Sequence, residues 1–315
     1  MTTLVLGASG FIGSWVVRTL LKRSVHTTVL TRPKSDLWRL AGLQRLHLLT
    51  ADERDWAEAI TSLQPAVVVS LDWSGVGGTH RDDELQWNNL ARQKAVLEAA
   101  FKAGARRFVG VGSQAEYGPK NERIAESATT SPRTLYGKAK LAAMEFSREF
   151  CESRGMEWAW ARVFSVFGPL DNGHWLLPLV ADSLLADHDI ELTPGEQRWS
   201  YLYASDAGMA LAGLATHAAA SGIYNVGNPL APKLRNTVEL FASHFQTDAR
   251  LLFGALPLGP NAVIRLEPDV SRLEELGWSP LVTTNEGLES TAQWLRGDDI
   301  ADPFSPGFTF PRRVK

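Results

Sequence analysis

Tyr136 and Lys140 stand four residues apart in Tyr136-Gly137-Lys138-Ala139-Lys140, which places both on one face of a helix. A free phenol is a poor acid at neutral pH, with a pKa of about 10. An ammonium beside it favours the phenolate and lowers that value, which makes the pair a usable proton donor or acceptor. The spacing alone is common. Its position gives it weight, because it lies just downstream of Gly112-Ser113-Gln114-Ala115-Glu116-Tyr117-Gly118, at the end of a β-rich run. Ligands of open α/β sheets bind outside the carboxyl ends of strands.

A second constellation opens the chain. Thr2-Thr3-Leu4-Val5-Leu6 is an apolar strand, followed by Gly7-Ala8-Ser9-Gly10-Phe11-Ile12-Gly13 and an amphipathic helix. Gly7 allows a tight turn, Gly10 lets the backbone approach a pyrophosphate, and Gly13 lets the helix pack on the strand. Free N–H groups at the helix start favour phosphate. In this strand–turn–helix context the loop reads as a dinucleotide cradle, with Ser9, Phe11 and Ile12 alongside the glycines. An acidic residue about 20 positions on would hold the ribose 2′-hydroxyl of NAD. The second strand ends instead in Leu30-Thr31-Arg32-Pro33-Lys34-Ser35, and Arg32 and Lys34 would attract a 2′-phosphate. Asp36 lies close by, but no carboxylate sits at the strand end. The expected cofactor is therefore NADP(H).

The elements that must position these groups alternate in type. Strand candidates are Thr3–Leu6, Thr27–Leu30, Leu46–Leu49, Ala66–Ser70, Arg107–Val111 and Trp158–Val163. Helix candidates between them are Phe11–Arg23, Trp56–Leu63, Asn88–Lys102 and Thr134–Arg154. Strands joined by crossover helices predict an α/β fold, a Rossmann-type doubly wound parallel sheet. After Pro169 the pattern loosens and prolines multiply, which predicts a second, smaller α/β substrate domain. The expected division is a cofactor domain over 1–167 and a substrate domain over 168–315, with a segment near 198–228 returning to the first. The tail Asp302–Lys315, with Arg312 and Arg313, reads as a surface strap or a frayed end. The glycine-rich segment Trp73–Asp83 reads either as a mobile loop that gates the site or as an ordinary surface loop.

Composition sets outer limits. The 315 residues are 44% hydrophobic and 21% charged, enough to fill a sizeable core. A net charge of −3 gives no electrostatic footprint for nucleic acid or an anionic membrane. No apolar run is long enough to span a bilayer. The single cysteine, Cys151, excludes an intrachain disulfide. The seven histidines show no metal-ligand spacing, so no metal is expected. The strand-like start leaves no signal peptide, and a cytoplasmic location is the expectation.

Taken in order, these motifs resemble the extended short-chain dehydrogenase/reductase family of nucleotide-sugar epimerases, dehydratases and reductases. The resemblance runs over nearly the whole chain. It rests on Gly7–Gly13, Asp52, Asn89-Leu90, Ser113 with Tyr117-Gly118, and Tyr136 with Lys140. It continues through Arg162-Val163-Phe164-Ser165-Val166-Phe167-Gly168-Pro169, Arg198 to Asp206, Tyr224-Asn225-Val226-Gly227 and Leu276 to Pro280. The resemblance implies that Ser113 bonds the substrate oxygen, that Tyr136 is the acid/base, and that Lys140 holds the nicotinamide ribose. It implies that Asp52 contacts adenine and that Phe164 and Pro169 flank the nicotinamide. Arg198 and Arg265 would contact the substrate diphosphate, and Asn89 and Ser165 would line the substrate pocket. Apart from the resemblance, His174 in the loop after Pro169 is placed either to reach a substrate sugar or simply to pack. A homodimer formed through the third and fourth helix candidates is also implied.

Three departures from the family pattern matter. Leu71-Asp72-Trp73 replaces the small residues expected after the fourth strand, and Ser165 replaces an asparagine. Gln114 and Ala115 stand where 4,6-dehydratases carry acidic residues, and Glu116, one position on, should point elsewhere. Dehydration is thus disfavoured. The expected activity is NADPH-dependent reduction of a keto group on a nucleotide-activated sugar, an NDP-4-keto-6-deoxyhexose. The alternatives are an NAD-dependent nucleotide-sugar 4-epimerase and a non-catalytic dinucleotide sensor.

Overall fold

The computed structural model describes residues 2–171, 174–259, 262–302 and 309–311. The first half alternates strictly. β1 (Thr2–Leu6), α1 (Phe11–Lys22), β2 (His26–Thr31), β3 (His47–Thr50), α2 (Trp56–Leu63), β4 (Val67–Ser70) and α3 (Leu85–Lys102) lead to β5 (Arg107–Ser113), α4 (Leu135–Glu152) and β6 (Glu157–Val163). The second half is built from shorter pieces. These are β7 (Ser165–Phe167), α5 (Leu176–Leu185), β8 (Ile190–Leu192), β9 (Arg198–Trp199), β10 (Tyr201–Tyr203), α6 (Ala204–Thr216) and β11 (Gly222–Val226), then α7 (Leu234–Ala242), β12 (Leu251–Phe253), β13 (Arg265–Leu266), α8 (Ser271–Glu274) and α9 (Thr284–Arg296).

Seven strands form one parallel sheet in the order β11-β6-β5-β4-β1-β2-β3. Alternate side chains of each strand enter opposite cores. Val5, Val29, Val69 and Val109 pack beneath α1 and α6, against Val16, Leu20, Leu211 and Leu214. Leu4, Leu6, Leu30, Val68 and Phe108 pack on the other face, against Trp56 and Ile60 of α2, Leu97 of α3 and Met144 of α4. Burial on both faces explains why these strands read as continuous apolar runs. The sheet and its two helical layers agree with the doubly wound fold expected from the sequence. α3 starts at Leu85 rather than Asn88, because Asp83 accepts the N–H of Leu85 and anchors an earlier turn.

A third core joins α5, α7 and α9 through Leu177, Val180, Val238, Phe241, Leu288 and Ala292, closed by Phe167 and Tyr203. The short parallel pairs β7–β10, β8–β12 and β9–β13 flank it. β11 crosses back to pair with β6 in the main sheet.

The described part of the tail is a strap. Asp302 is buried and ion-paired to Nε of Arg18 at 2.7 Å. Phe310 packs at a tilt against Trp15 of α1, with ring centroids 5.1 Å apart. Arg312 and Arg313 lie outside the described residues.

Candidate active site

β1, β4 and β5 are parallel neighbours in the sheet, and the glycine loop follows the carboxyl end of β1. Gly7 has φ +76, and a Cβ there would meet the backbone of Leu71 and Asp72 at 2.6–2.7 Å. A Cβ on Gly13 would collide with the Gly7 carbonyl, so this helix can begin here only with glycine. Gly10 caps α1 with extended backbone, and the space above its α-carbon holds only the Gly7 carbonyl at 3.2 Å. This cradle suits a pyrophosphate. Arg39, which the sequence reading passed over, ties it down by donating to the carbonyls of Ser9 at 3.3 Å and Leu170 at 2.7 Å. Ser9, Phe11 and Ile12 are half-buried beside it.

At the end of β2, Thr31 stands where an acidic residue would grip a ribose, and its buried hydroxyl has no partner among the described residues. An orphaned hydroxyl at this strand end fits a ribose or its phosphate. Arg32 follows, half-exposed, with Nη1 2.9 Å from Glu53. Lys34 is exposed, and so is Asp52, whose nearest cation is Arg54 at 3.8 Å. Glu53 also meets Arg92 at 3.4 Å, and Arg92 ion-pairs with Asp72. A chain of alternating charge, Arg32–Glu53–Arg92–Asp72, therefore runs from the end of β2 to the end of β4.

β5 ends in Ser113, and α4 presents Tyr136 and Lys140 to it. Thr134 starts α4 by accepting the N–H of Gly137, which fixes the turn that carries Tyr136. All three side chains are buried. Ser113 Oγ accepts the N–H of Ala115 at 3.2 Å. Burial pushes the phenol above its usual range, opposed by Ser113 and by the guanidinium of Arg81. Lys140 faces another way. Its Nζ donates to the Val111 carbonyl at 2.6 Å and lies 3.8 Å from the centre of the Trp73 ring. The Tyr136 ring centre is 6.0 Å from that nitrogen. Burial pushes Lys140 down to about 7. Spacing alone suggested an ammonium acting on a phenol, whereas here the ammonium is desolvated and bonded elsewhere.

Two further groups hold this arrangement. Glu116, fully buried, accepts the N–H of Ser113 at 2.8 Å, Nε1 of Trp160 at 3.1 Å and Nε of Arg162 at 2.7 Å. It lies behind Ser113, inside the protein. Segment 73–83 is pinned to α3. Gln86 accepts from Trp73 at 2.7 Å and donates to the carbonyls of Gly75 and His80 at 2.8 Å. Asn89 is buried and closes a two-way bridge to the backbone of Ser74. Side chains of α3 thus bond the loop's backbone at Ser74, Gly75 and His80, which turns Asn89 toward the loop.

The remaining candidates lie around the second half of the chain. Phe164 is buried against Tyr117, Ile124 and Leu266. Pro169 is buried, and its carbonyl accepts Nε1 of Trp15. Ser165 accepts Nε1 of Trp199 at 2.9 Å. His174 is exposed ahead of α5. Arg198 and Arg265 are cross-strand partners and share Glu267, at 3.7 and 2.8 Å. Arg81, Gln86, Glu53 and Arg92 belong to no motif and carry no signal in a single sequence.

Residues 3–227 match the family described as the NAD dependent epimerase/dehydratase family. The chain is 24% identical to dTDP-D-glucose 4,6-dehydratase of Mus musculus, over 93% of this chain and 88% of that protein. It is 25% identical to GDP-L-fucose synthase 1 of Arabidopsis thaliana, over 92% of this chain and 91% of the relative. Its fold superposes on UDP-glucose 4-epimerase of Thermotoga maritima, solved with UDP-glucose, with a TM-score of 0.83 at 22% identity, covering 94% and 99% of the two chains.

Proposed function

The chain belongs to the NAD dependent epimerase/dehydratase family, and from that premise we propose that it is an NADPH-dependent reductase of a keto group on a nucleotide-activated sugar. The substrate we favour is an NDP-4-keto-6-deoxyhexose, reduced at C4 in deoxysugar biosynthesis. The observation that carries this reading is the inward turn of Glu116. With Gln114 and Ala115 before it and its own carboxylate spent on Arg162, the turn after Ser113 offers no acid/base group for eliminating water. Ser113 and Tyr136 remain to handle the proton.

Gly7, Gly10 and Gly13 would hold the pyrophosphate, and Thr31, Arg32 and Lys34 the phosphorylated ribose. When bound, the dinucleotide supplies the two-electron redox chemistry. The protein's part is to grip the carbonyl oxygen and deliver a proton. Ser113 Oγ and the Tyr136 phenol both donate to that oxygen and stabilise the charge that develops there. Because burial raises the phenol's pKa, it is protonated at neutral pH and ready to give, the state a reductase needs at the start of each turnover. Its proton moves to the new alkoxide, and solvent restores it.

The pairing of Arg32 with Glu53 favours a second reading. A half-neutralised cation discriminates less against NAD, and an NAD-dependent nucleotide-sugar 4-epimerase would use the same Ser113–Tyr136 pair in both directions. We also propose a cytosolic homodimer paired through α3 and α4, whose Trp87 and Phe101 are each 38% exposed, with residues 1–167 serving the cofactor and 168–315 the sugar nucleotide.

The test is NADPH oxidation against dTDP-, CDP-, GDP- and UDP-4-keto-6-deoxyhexoses, with NMR of the product. The reductase reading expects stoichiometric NADPH consumption and a C4 alcohol. Inversion at C4 without net oxidation would establish the epimerase. NADPH binding with no turnover on any sugar would mean a non-catalytic sensor.

A further inference from the structure

Arg92 of α3 belongs to no motif, yet every nitrogen of its guanidinium is committed. Nε ion-pairs with Asp72, Nη2 donates to Oδ1 of Asn89 at 2.7 Å, and Nη1 reaches Oε2 of Glu53 at 3.4 Å. The other oxygen of Glu53, Oε1, accepts Nη1 of Arg32 at 2.9 Å. Glu53 is thus one carboxylate between two guanidiniums, with one oxygen for each. The two cations differ in freedom. The Arg92 side chain is 15% exposed and held from three sides, whereas that of Arg32 is 47% exposed. Exposed ion pairs are weak, so Arg32 can leave Glu53 for a stronger anion at little cost. The orphaned hydroxyl of Thr31, next to Arg32 at the end of β2, marks where a 2′-phosphate would sit. Once Arg32 turns to that phosphate, Glu53 is a carboxylate beside a dianion, and like charges repel.

We propose that Arg92 is a positioning residue for cofactor choice: it stays on Glu53 as the countercharge when Arg32 turns from that carboxylate to a 2′-phosphate. Among the described residues no other cation pairs with Glu53. Arg54, the next residue in the chain, turns instead to Asp52 at 3.8 Å and Asp55 at 3.6 Å. Asp72 and Asn89 fix the guanidinium of Arg92 so that Nη1 is the nitrogen offered to Glu53. Asp72 stands in the loop after β4 where small residues were expected, so the device belongs to this chain's own departure from the family pattern.

This inference rests on Arg32 meeting a 2′-phosphate, and calorimetric titration of the full chain with adenosine 2′,5′-bisphosphate and with adenosine 5′-monophosphate separates the two. The ratio of the affinities reads the phosphate site, and it cancels any change in the fold that weakens both probes alike. The parent should prefer the bisphosphate, and Arg32→Ala should remove most of the preference. Arg92→Met should lower the ratio by about fivefold, the upper end for a partly exposed ion pair. Arg92→Lys keeps the charge and should restore most of it. In a Glu53→Gln background Arg92→Met should leave the ratio unchanged, because no carboxylate remains to be neutralised. A parent that binds both probes equally overturns the NADP(H) reading and this inference with it. A parent that prefers the bisphosphate, together with an Arg92→Met ratio equal to the parent's, overturns the inference alone. A loss from Arg92→Met that persists in Glu53→Gln also overturns it, since Arg92 would then act on the phosphate directly. Arg92→Gln gives the same reading should the methionine variant not fold.

Discussion

The carboxylate of Glu116 accepts the backbone N–H of Ser113 at 2.8 Å, so the hydroxyl we propose for the substrate oxygen sits on backbone held by a carboxylate lying wholly inside the protein. The same carboxylate meets Arg162 at 2.7 Å, and both side chains are almost fully buried. Breaking one side of a buried pair leaves an uncompensated charge and costs about 3–5 kcal/mol. Glu116→Gln should therefore lower the urea midpoint sharply. It should also reduce kcat more than the stability loss explains, because a single amide oxygen cannot serve Ser113, Trp160 and Arg162 together. The double variant Glu116→Met with Arg162→Met should regain most of the stability and little of the turnover. Stability close to the parent's in the single variant would show that the pair matters less than its burial implies.

Lys140 makes stability depend on pH in a direction opposite to an ordinary surface lysine. Its pKa falls from 10.5 to about 7 on folding, chiefly through desolvation. Between these values the unfolded chain binds a proton that the folded chain does not. By linkage, this group's contribution to stability then rises with pH across the window, and its cost is greatest below about 7. Lys140→Met removes the effect. Urea midpoints of the two proteins, measured in steps from neutral to alkaline pH, should converge as pH rises. A constant difference would mean that Lys140 stays charged in the fold.

Much of the fold was legible in the sequence because the sheet is buried on both faces. Thr2–Leu6, Val67–Ser70 and Arg107–Ser113 announce themselves as apolar runs, and the glycines at 7, 10 and 13 mark the turn where the chain passes from strand to helix. Tyr136 and Lys140 were legible as a spacing. What a spacing cannot convey is direction. The Lys140 ammonium turns to Val111 and Trp73 because the loop after β4 brings an indole where small residues were expected. Arg92 and Gln86 act through contacts between segments that no periodicity links. The α3 side chains that pin segment 73–83 are likewise invisible until the helix is placed beside it.

On the proposed reading, cofactor choice turns on Arg32. It is tied to Glu53 at 2.9 Å, and a 2′-phosphate must compete with that carboxylate. Arg32→Ala should weaken NADPH binding by roughly tenfold, about 1.4 kcal/mol, with little change for NADH. Glu53→Gln should act in the opposite sense and tighten NADPH, because the guanidinium is released. Fluorescence titration with both dinucleotides checks this. Equal losses for NADPH and NADH in Arg32→Ala would place the arginine outside the phosphate site and favour the NAD-dependent epimerase reading.

The tail adds a stability element that a proline-rich composition conceals. Asp302 lies 2.7 Å from Nε of Arg18, with the two side chains 3% and 1% exposed, and Phe310 closes over Trp15 on the same helix. That helix is α1, whose first turn faces the phosphate cradle, so loosening its far side should be felt at the cofactor. Burial already lowers the Arg18 pKa, and Asp302 opposes this. Asp302→Ala leaves the arginine buried without its countercharge and should cost about 3–5 kcal/mol. Arg18→Met combined with Asp302→Leu should restore most of the loss, since the neighbours Trp15 and Phe310 are apolar. Thermal midpoints with and without saturating NADPH separate the two effects. A tail that only frays at the surface would leave both midpoints unchanged in the single variant.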